Sequence, residues 1–225
     1  MINTASEILS GKCMTQSRDT VYVVEDDAGA RSLVCAIARS IGLDCKAFAS
    51  AAEFLEQCGS LAPGCLVLDL VMPEVSGLAL QHELTLRGVT IPIIFITGRG
   101  QVASAVQAMR QGAFNFLEKP FPNSVLIADI RRAVNLDHNH RVTLSQVGAI
   151  REKLSSLTPR ERDVLDQVIS GHPNKIIAHE LKVSQRRVEM HRSRVMEKMG
   201  VSSVAELVRM LVSVEDRGGR TPPGS

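Results

Sequence analysis

Four short, continuously apolar runs in the first half of this 225-residue chain each stand beside a polar side chain of a particular kind. Residues 21–24 lead into Glu25 and Asp26, residues 65–68 into Asp69, residues 91–96 into Thr97, and residues 114–117 lie just ahead of Lys119. A run of this length, rich in β-branched or aromatic residues, reads as a strand buried on both faces. Helical spacing separates the runs: Leu33, Val34, Ile37 and Ile41 share one face of a segment that stops at Gly42. Further strand and helix patterns follow at 45–48, 51–57, 77–87, 102–110 and 123–134, which completes five strand–helix units. Alternation of this kind predicts an α/β fold with a doubly wound, five-stranded parallel sheet whose carboxyl ends share one edge. The acids, the hydroxyl and the amine then converge on the crevice where such sheets bind ligands.

A chain of 24.4 kDa is long for one such domain, so two are expected. Hydrophobic residues make up 44% but aromatics only 3%, with no Trp, so the cores must be aliphatic. Residues 1–17 are small, polar and aperiodic and are expected to be disordered. No apolar stretch reaches membrane length and no signal-type leader opens the chain, which predicts a cytoplasmic protein with no membrane partner. Cysteines 13, 35, 45, 58 and 65 form an odd set without a C-x-x-C spacing. They are expected to be small buried residues in a reducing compartment, neither a disulfide framework nor a zinc site.

Charge is informative once it is divided. From residue 151 onward there are 14 basic and 10 acidic residues, against 12 and 14 before it. A mildly acidic α/β half followed by a basic half suggests a regulatory module joined to a polyanion binder. Residues 135–155 are polar, with only sparse apolar positions, and read as a partly helical linker. The second domain, 156–216, is then marked out by capping chemistry. Thr158, Pro159 and Glu161 form a capping box that opens a helix running to Gly171. Asn174 is expected to cap a short helix to Leu181, Ser184 a longer one to Met199 stopped by Gly200, and Ser203 with Glu206 a last one. The connection through Lys182 and Val183 has helix-turn-helix spacing. Residues 217–225 read as a flexible tail.

Glu25, Asp26 and Asp69 present hard oxygen ligands with no thiol or imidazole nearby in sequence, a set that suits magnesium. A carboxylate can itself be a nucleophile and become an acyl phosphate. Lys119 supplies a point charge for a phosphoryl oxygen, and the Thr97 hydroxyl can donate to another. In the second half, Val188, His191, Val195 and Met199 share one face of a helix while Arg186, Glu189, Met190, Ser193 and Glu197 lie opposite. Residues 182–198 carry six basic and two acidic side chains, the composition of a helix that enters a major groove.

The stretches VYVVEDD, CLVLDLVMPEVSG, IIFITG and FNFLEKPF resemble the receiver domain of bacterial two-component response regulators, a flavodoxin-like fold, here over residues 18–134. The tail from LTPRERDVL to EKMGVSS resembles a LuxR/NarL-type DNA-binding domain, and together they resemble the FixJ subfamily. The resemblance implies a transcription regulator rather than an enzyme. It makes Asp69 the phosphoacceptor and Glu25, Asp26, Asp69 and the carbonyl of Val71 the magnesium site. Thr97 and Phe116 become the switch pair, and Lys119 the phosphate-contacting amine with a cis bond to Pro120. A sensor histidine kinase, promoter DNA, a second copy after phosphorylation and RNA polymerase are the implied partners. Glu189, Met190 and Ser193 fall at base-contacting places, Arg186, Arg187, Arg192, Arg194 and Lys198 on phosphates, and Ser184 and Gln185 at the helix N-terminus.

The first acid is Glu where Asp is commoner. Val71 cannot orient an attacking water, which suggests slow loss of phosphate. Arg99 is basic where relatives differ, and Arg187 stands where they commonly have threonine. Two other classes of function compete: a phosphate-independent regulator whose receiver is only a dimerisation scaffold, and a magnesium-dependent aspartyl-phosphate phosphatase.

Overall fold

A computed structural model describes residues 19–98 and 102–218. The expected lead-in at 1–17, the end of the tail beyond residue 218, Cys13 and Arg99 lie outside the described residues. The chain divides into two compact units, 1–139 and 140–225.

The first unit alternates strand and helix: β1 (Thr20–Val24), α1 (Ala28–Ser40), β2 (Asp44–Phe48), α2 (Ala51–Gln57), β3 (Gly64–Asp69), α3 (Gly77–Leu86), β4 (Ile93–Thr97), α4 (Val102–Arg110), β5 (Asn115–Glu118) and α5 (Asn123–Ser155). The strands form one parallel sheet in the order β2-β1-β3-β4-β5. Every residue of β1, β3 and β4 is buried, as their unbroken apolar runs require. Alternate residues feed two cores. Tyr22, Val24, Leu66, Leu68 and Phe95 pack with Phe54, Leu80 and Leu84 on one face, and Val21, Val23, Val67, Ile94 and Ile96 pack with Val34, Ile37, Leu126 and Ile130 on the other. The order reverses between β1 and β3, so the carboxyl ends of these strands flank the crevice.

Two expectations are corrected here. The helix expected to end at Val134 runs without interruption to Ser155. Local polarity concealed it, because its apolar positions face partners distant in sequence. Buried Asp137 accepts the backbone N–H of Gly64 at 2.9 Å. In the second unit, Ile150 and Leu154 pack against the hydrophobic cluster, and Val147 is buried. The second correction concerns cysteine: Cys35 on α1 and Cys45 on β2 are joined by a disulfide, their Cα atoms 5.5 Å apart. The chain reverses between these two elements and brings the pair within bonding reach, which even spacing statistics could not reveal. Cys58 and Cys65 are free and buried as expected, and burial, with Asp137 nearby, pushes the Cys65 thiol up to about 12.

The second unit contains α6 (Pro159–Ile169), α7 (Asn174–Glu180), α8 (Gln185–Met199) and α9 (Val204–Gly218). Its core gathers Leu157, Val164, Leu165, Val168, Ile177, Val188, Val195, Met199 and Leu207. The Thr158–Glu161 capping box forms in both directions. Two other caps differ from expectation. Asn174 is the first helical residue after Pro173 and makes no cap; its side-chain oxygen accepts from Arg192 Nη1 at 3.0 Å instead. Ser203 accepts from Glu206 N–H, but Glu206 returns its bond to Ser202 rather than to Ser203.

Candidate functional site

At the carboxyl ends of β1 and β3, Glu25 and Asp69 are almost wholly enclosed, while Asp26 stands exposed. One carboxylate oxygen from each of the three lies within 4.8 Å of the others. The third acid of the EDD run is used differently: Asp27 caps α1 by accepting the N–H of Ala30 at 2.7 Å. Arg31, one turn into α1, donates to the backbone oxygens of Glu25 (2.7 Å) and Asp26 (3.2 Å) and fixes the loop between them. No periodicity or motif in the sequence pointed to Arg31.

Lys119 follows β5 and precedes a cis peptide bond to Pro120. Its Nζ lies 2.6 Å from Glu25 Oε2 and 2.9 Å from Asp69 Oδ2, bridging two carboxylates that are 94 and 50 residues away in sequence. Burial raises the Glu25 carboxyl above its usual range; the Lys119 hydrogen bond opposes this and Asp69 reinforces it. Burial acts to lower Lys119, but its hydrogen bonds to the two carboxylates outweigh it and hold the ammonium above the usual lysine range. The remaining Asp69 oxygen, Oδ1, accepts the N–H of Val71 at 3.1 Å, and the Val71 side chain is exposed.

Thr97 ends β4, directly beside the strand that carries Lys119. Its hydroxyl oxygen is buried and has no hydrogen-bond partner among the described residues. A buried hydroxyl left unpartnered at the strand end between those leading to Asp69 and Lys119 is a donor that an incoming oxyanion could satisfy. Phe116, paired with Phe95 across β4 and β5, is partly buried against the first core. Gly77, at the start of α3, lies directly against the end of β3: a Cβ there would meet Asp69 O at 2.3 Å, and both Leu70 Cα and Phe95 Cε1 at 3.0 Å.

The donor set fits magnesium. All three ligands are hard carboxylates, the third is exposed, and among the described residues Lys119 is the one cation paired with them, which leaves surplus negative charge.

In the second unit, α7 and α8 are joined through Lys182, whose φ of 53° makes the tight turn. Ser184 caps α8 by accepting Arg187 N–H. Val188, Val195 and Met199 are buried, so Gln185, Arg186, Arg187, Glu189, Met190, Ser193 and Arg194 face outward. His191 is half-buried at the edge of the packed face. Arg192 is drawn toward α7 by Asn174. Lys198, expected among the DNA-binding residues, has its Nζ 2.6 Å from Glu161 Oε2 and 3.1 Å from the Ser156 carbonyl oxygen. A charge count on one helix could not reveal a partner on another.

An acidic crevice of this kind followed by a helix-turn-helix unit defines a two-part signalling regulator that binds DNA. Residues 21–131 match the response regulator receiver domain and residues 155–211 the luxR family of bacterial regulatory proteins. The chain is 41% identical over 203 residues to response regulator protein TmoT of Ectopseudomonas mendocina, covering 90% of this chain and 92% of that one. It is 39% identical to transcriptional regulatory protein FixJ of Azorhizobium caulinodans, covering 90% and 97%. The solved structure of response regulator StyR superposes with a TM-score of 0.81 at 39% identity, over 87% of this chain and 98% of that one. The chain belongs to the response-regulator family, with a receiver domain followed by a LuxR-type DNA-binding domain, and acts as a DNA-binding transcription regulator.

Proposed function

We propose that Asp69 is the phosphoacceptor of this regulator and that a sensor histidine kinase is its phosphoryl donor. The observation that carries this reading is the Lys119 ammonium on Asp69, with the buried Thr97 hydroxyl at the end of the adjoining strand unpartnered among the described residues. An Asp69 carboxylate oxygen attacks the phosphorus of a phosphohistidine; the P–N bond breaks, the imidazole takes up a proton, and an acyl phosphate forms. Glu25, Asp26, Asp69 and the Val71 carbonyl would hold magnesium, which when bound supplies charge neutralisation for the transferring phosphoryl group. Lys119 and the Val71 N–H orient the nucleophile, and Thr97 donates to a phosphoryl oxygen once it arrives.

Drawing Thr97 toward the phosphate frees space beside β5, into which Phe116 repacks, so phosphate favours one of two packings of the same chain. We assign dimerisation of the phosphorylated form to the face of residues 102–117, where Val106 and Met109 of α4 stand exposed. Residues 18–134 then form the receiver and 156–216 the DNA-binding unit, joined by the helical stretch 135–155. In the latter, Glu189, Met190 and Ser193 read base edges while Ser184, Gln185, Arg186, Arg187, Arg192 and Arg194 bind phosphates. RNA polymerase is the further partner, and the cytoplasm is the compartment that all of these partners share.

The test is Asp69→Asn, which keeps the size of the side chain and removes the nucleophile. Intact-mass measurement after incubation with acetyl phosphate and magnesium is expected to show one phosphoryl group on the parent and none on the variant. A phosphorylated variant refutes the assignment. Rapid release of inorganic phosphate, with no accumulation of acyl phosphate on the parent, would favour a phosphatase. DNA binding and dimerisation indifferent to phosphate would favour a phosphate-independent regulator.

A further inference from the structure

The end of α5 and the end of α8 exchange lysines. Lys153, in the last turn of α5, donates from Nζ to the carbonyl of Met199, the final residue of α8, at 2.9 Å. Lys198 of α8 donates in the opposite direction, to the carbonyl of Ser156 just beyond α5, and also to Glu161 in the first turn of α6. Each ammonium therefore takes a backbone oxygen near the end of the other's helix.

These acceptors are the ones left over by ordinary capping. A helix ends with four carbonyls lacking intrahelical partners. At the end of α8, Gly200 N–H bonds Glu197 O at 3.0 Å and Val201 N–H bonds Met196 O at 3.0 Å, a closure that uses those two oxygens and leaves Met199 O to Lys153. Gly200 itself is left-handed at φ 69°, and a Cβ there would stand 3.1 Å from Lys153 Nζ, so the amine lies close against the turn. An ammonium at a helix C-terminus also matches the negative end of the helix dipole. Lys198 is likewise held firmly: its hydrogen bond, with the N–H of Thr158, draws the Glu161 carboxyl down to about 2.

Hydrophobic packing alone fixes α8 along one stripe, Val188, Val195 and Met199, about which a helix can still rock. Reading a base edge requires side-chain placement to a fraction of an ångström, whereas phosphate contact tolerates more. We propose that Lys153 and Lys198 form a reciprocal brace that fixes the C-terminal end of α8 against the end of α5, making them positioning residues for DNA sequence discrimination. The proposal rests on the reading that α8 meets the bases.

The experiment uses the full-length protein phosphorylated with acetyl phosphate. A preferred duplex is first selected by the parent from a random pool. The affinities of parent, Lys153→Met and Lys153→Arg are then measured on that duplex and on a random one across a salt series. The Met variant is expected to lose about five- to tenfold in the ratio of selected to random affinity. Its random-duplex affinity should change less than twofold and its salt slope stay that of the parent. The Arg variant, which can still reach Met199 O, should recover most of the ratio. Lys153 lies at the edge of the core, so the Met variant is expected to fold; Lys153→Gln, polar but too short for the span, gives the same reading if it does not. An unchanged ratio in both variants overturns the brace. A uniform loss on both duplexes with a salt slope smaller by about one makes Lys153 a phosphate contact and also overturns it. If the parent selects no sequence, the reading of α8 fails first and the brace has no role in discrimination.

Discussion

Gly77→Ala tests whether the first turn of α3 sets the position of the phosphoacceptor. The added Cβ would meet the Asp69 carbonyl oxygen at 2.3 Å, roughly 1 Å inside ordinary contact, with Leu70 Cα and the Phe95 ring at 3.0 Å on its other sides. Two of the three neighbours are backbone atoms, so no rotamer change relieves the clash. Either α3 shifts away or the end of β3 does. Overpacking of this kind costs about 1–3 kcal/mol. A displacement of about 1 Å at a reacting group costs on the order of a hundredfold in rate. The N–H of Gly77 is also bonded to Leu70 O at 3.0 Å, so the two segments are tied and the strain reaches Asp69 whichever yields first. The assay pairs urea unfolding with the rate of acyl-phosphate formation from acetyl phosphate in magnesium buffer, read by intact mass. Gly88→Ala is the control: Gly88 has a φ of 68° with nothing within 4 Å of a built Cβ, so its substitution costs about 1 kcal/mol of backbone strain remote from Asp69. The expected result is a loss of stability in both variants and a loss of phosphorylation rate only in Gly77→Ala. Parent-like stability and rate in Gly77→Ala would refute the argument.

Lys119→Met leaves Glu25 and Asp69 facing each other without a cation; breaking a buried pair costs about 3–5 kcal/mol, and because the Lys119 side chain is 30% exposed about 1–3 kcal/mol is expected here. Millimolar magnesium should recover more thermal stability in this variant than in the parent, and phosphate should no longer drive dimers in sedimentation; equal magnesium effects refute the bridging role. Glu161 has its folded pKa at about 2, below the usual 4.5, through Lys198 first and Thr158 next. Its contribution is therefore complete above pH 4.5 and lost as pH falls toward 2. Hydrogen-exchange protection of α6 and α8 should drop across that window, and Glu161→Gln should flatten the dependence. Arg194→Ala should weaken binding alike on selected and random DNA and reduce the salt slope by about one. Glu189→Ala should instead relax preference at one symmetric pair of positions by about 1–3 kcal/mol with the slope unchanged, and an unchanged preference in a selection experiment refutes base reading by Glu189.

Much of the pocket was legible because a buried parallel strand announces itself locally. Its apolar run ends where the sheet ends, so the strand pattern by itself places Glu25, Asp69, Thr97 and Lys119 at one edge. Phe116 lies half-buried beside Phe95, a place its apolar strand pattern accounts for. The strand end pointed to Glu25 and Asp26, but the use of Asp27 as the cap of α1 was not read from the sequence.

Periodicity, capping boxes and turn residues act over a few positions, and the chain by itself determined what depends on them: the five strand–helix units, the helix-turn-helix spacing, the outward face of α8. Only the tertiary structure decided what depends on partners far along the chain. The Cys35–Cys45 bond follows from α1 folding back on β2. The persistence of α5 through a polar stretch depends on Gly64 for Asp137 and on the second unit's core for Ile150 and Leu154. Lys198 looked like one more phosphate contact until Glu161 and Ser156 were brought beside it, and Lys153 carried no signal at all before Met199 arrived. A hydrogen bond between residues far apart along the chain leaves no trace in local pattern, because nothing in either neighbourhood is altered by the partner's approach.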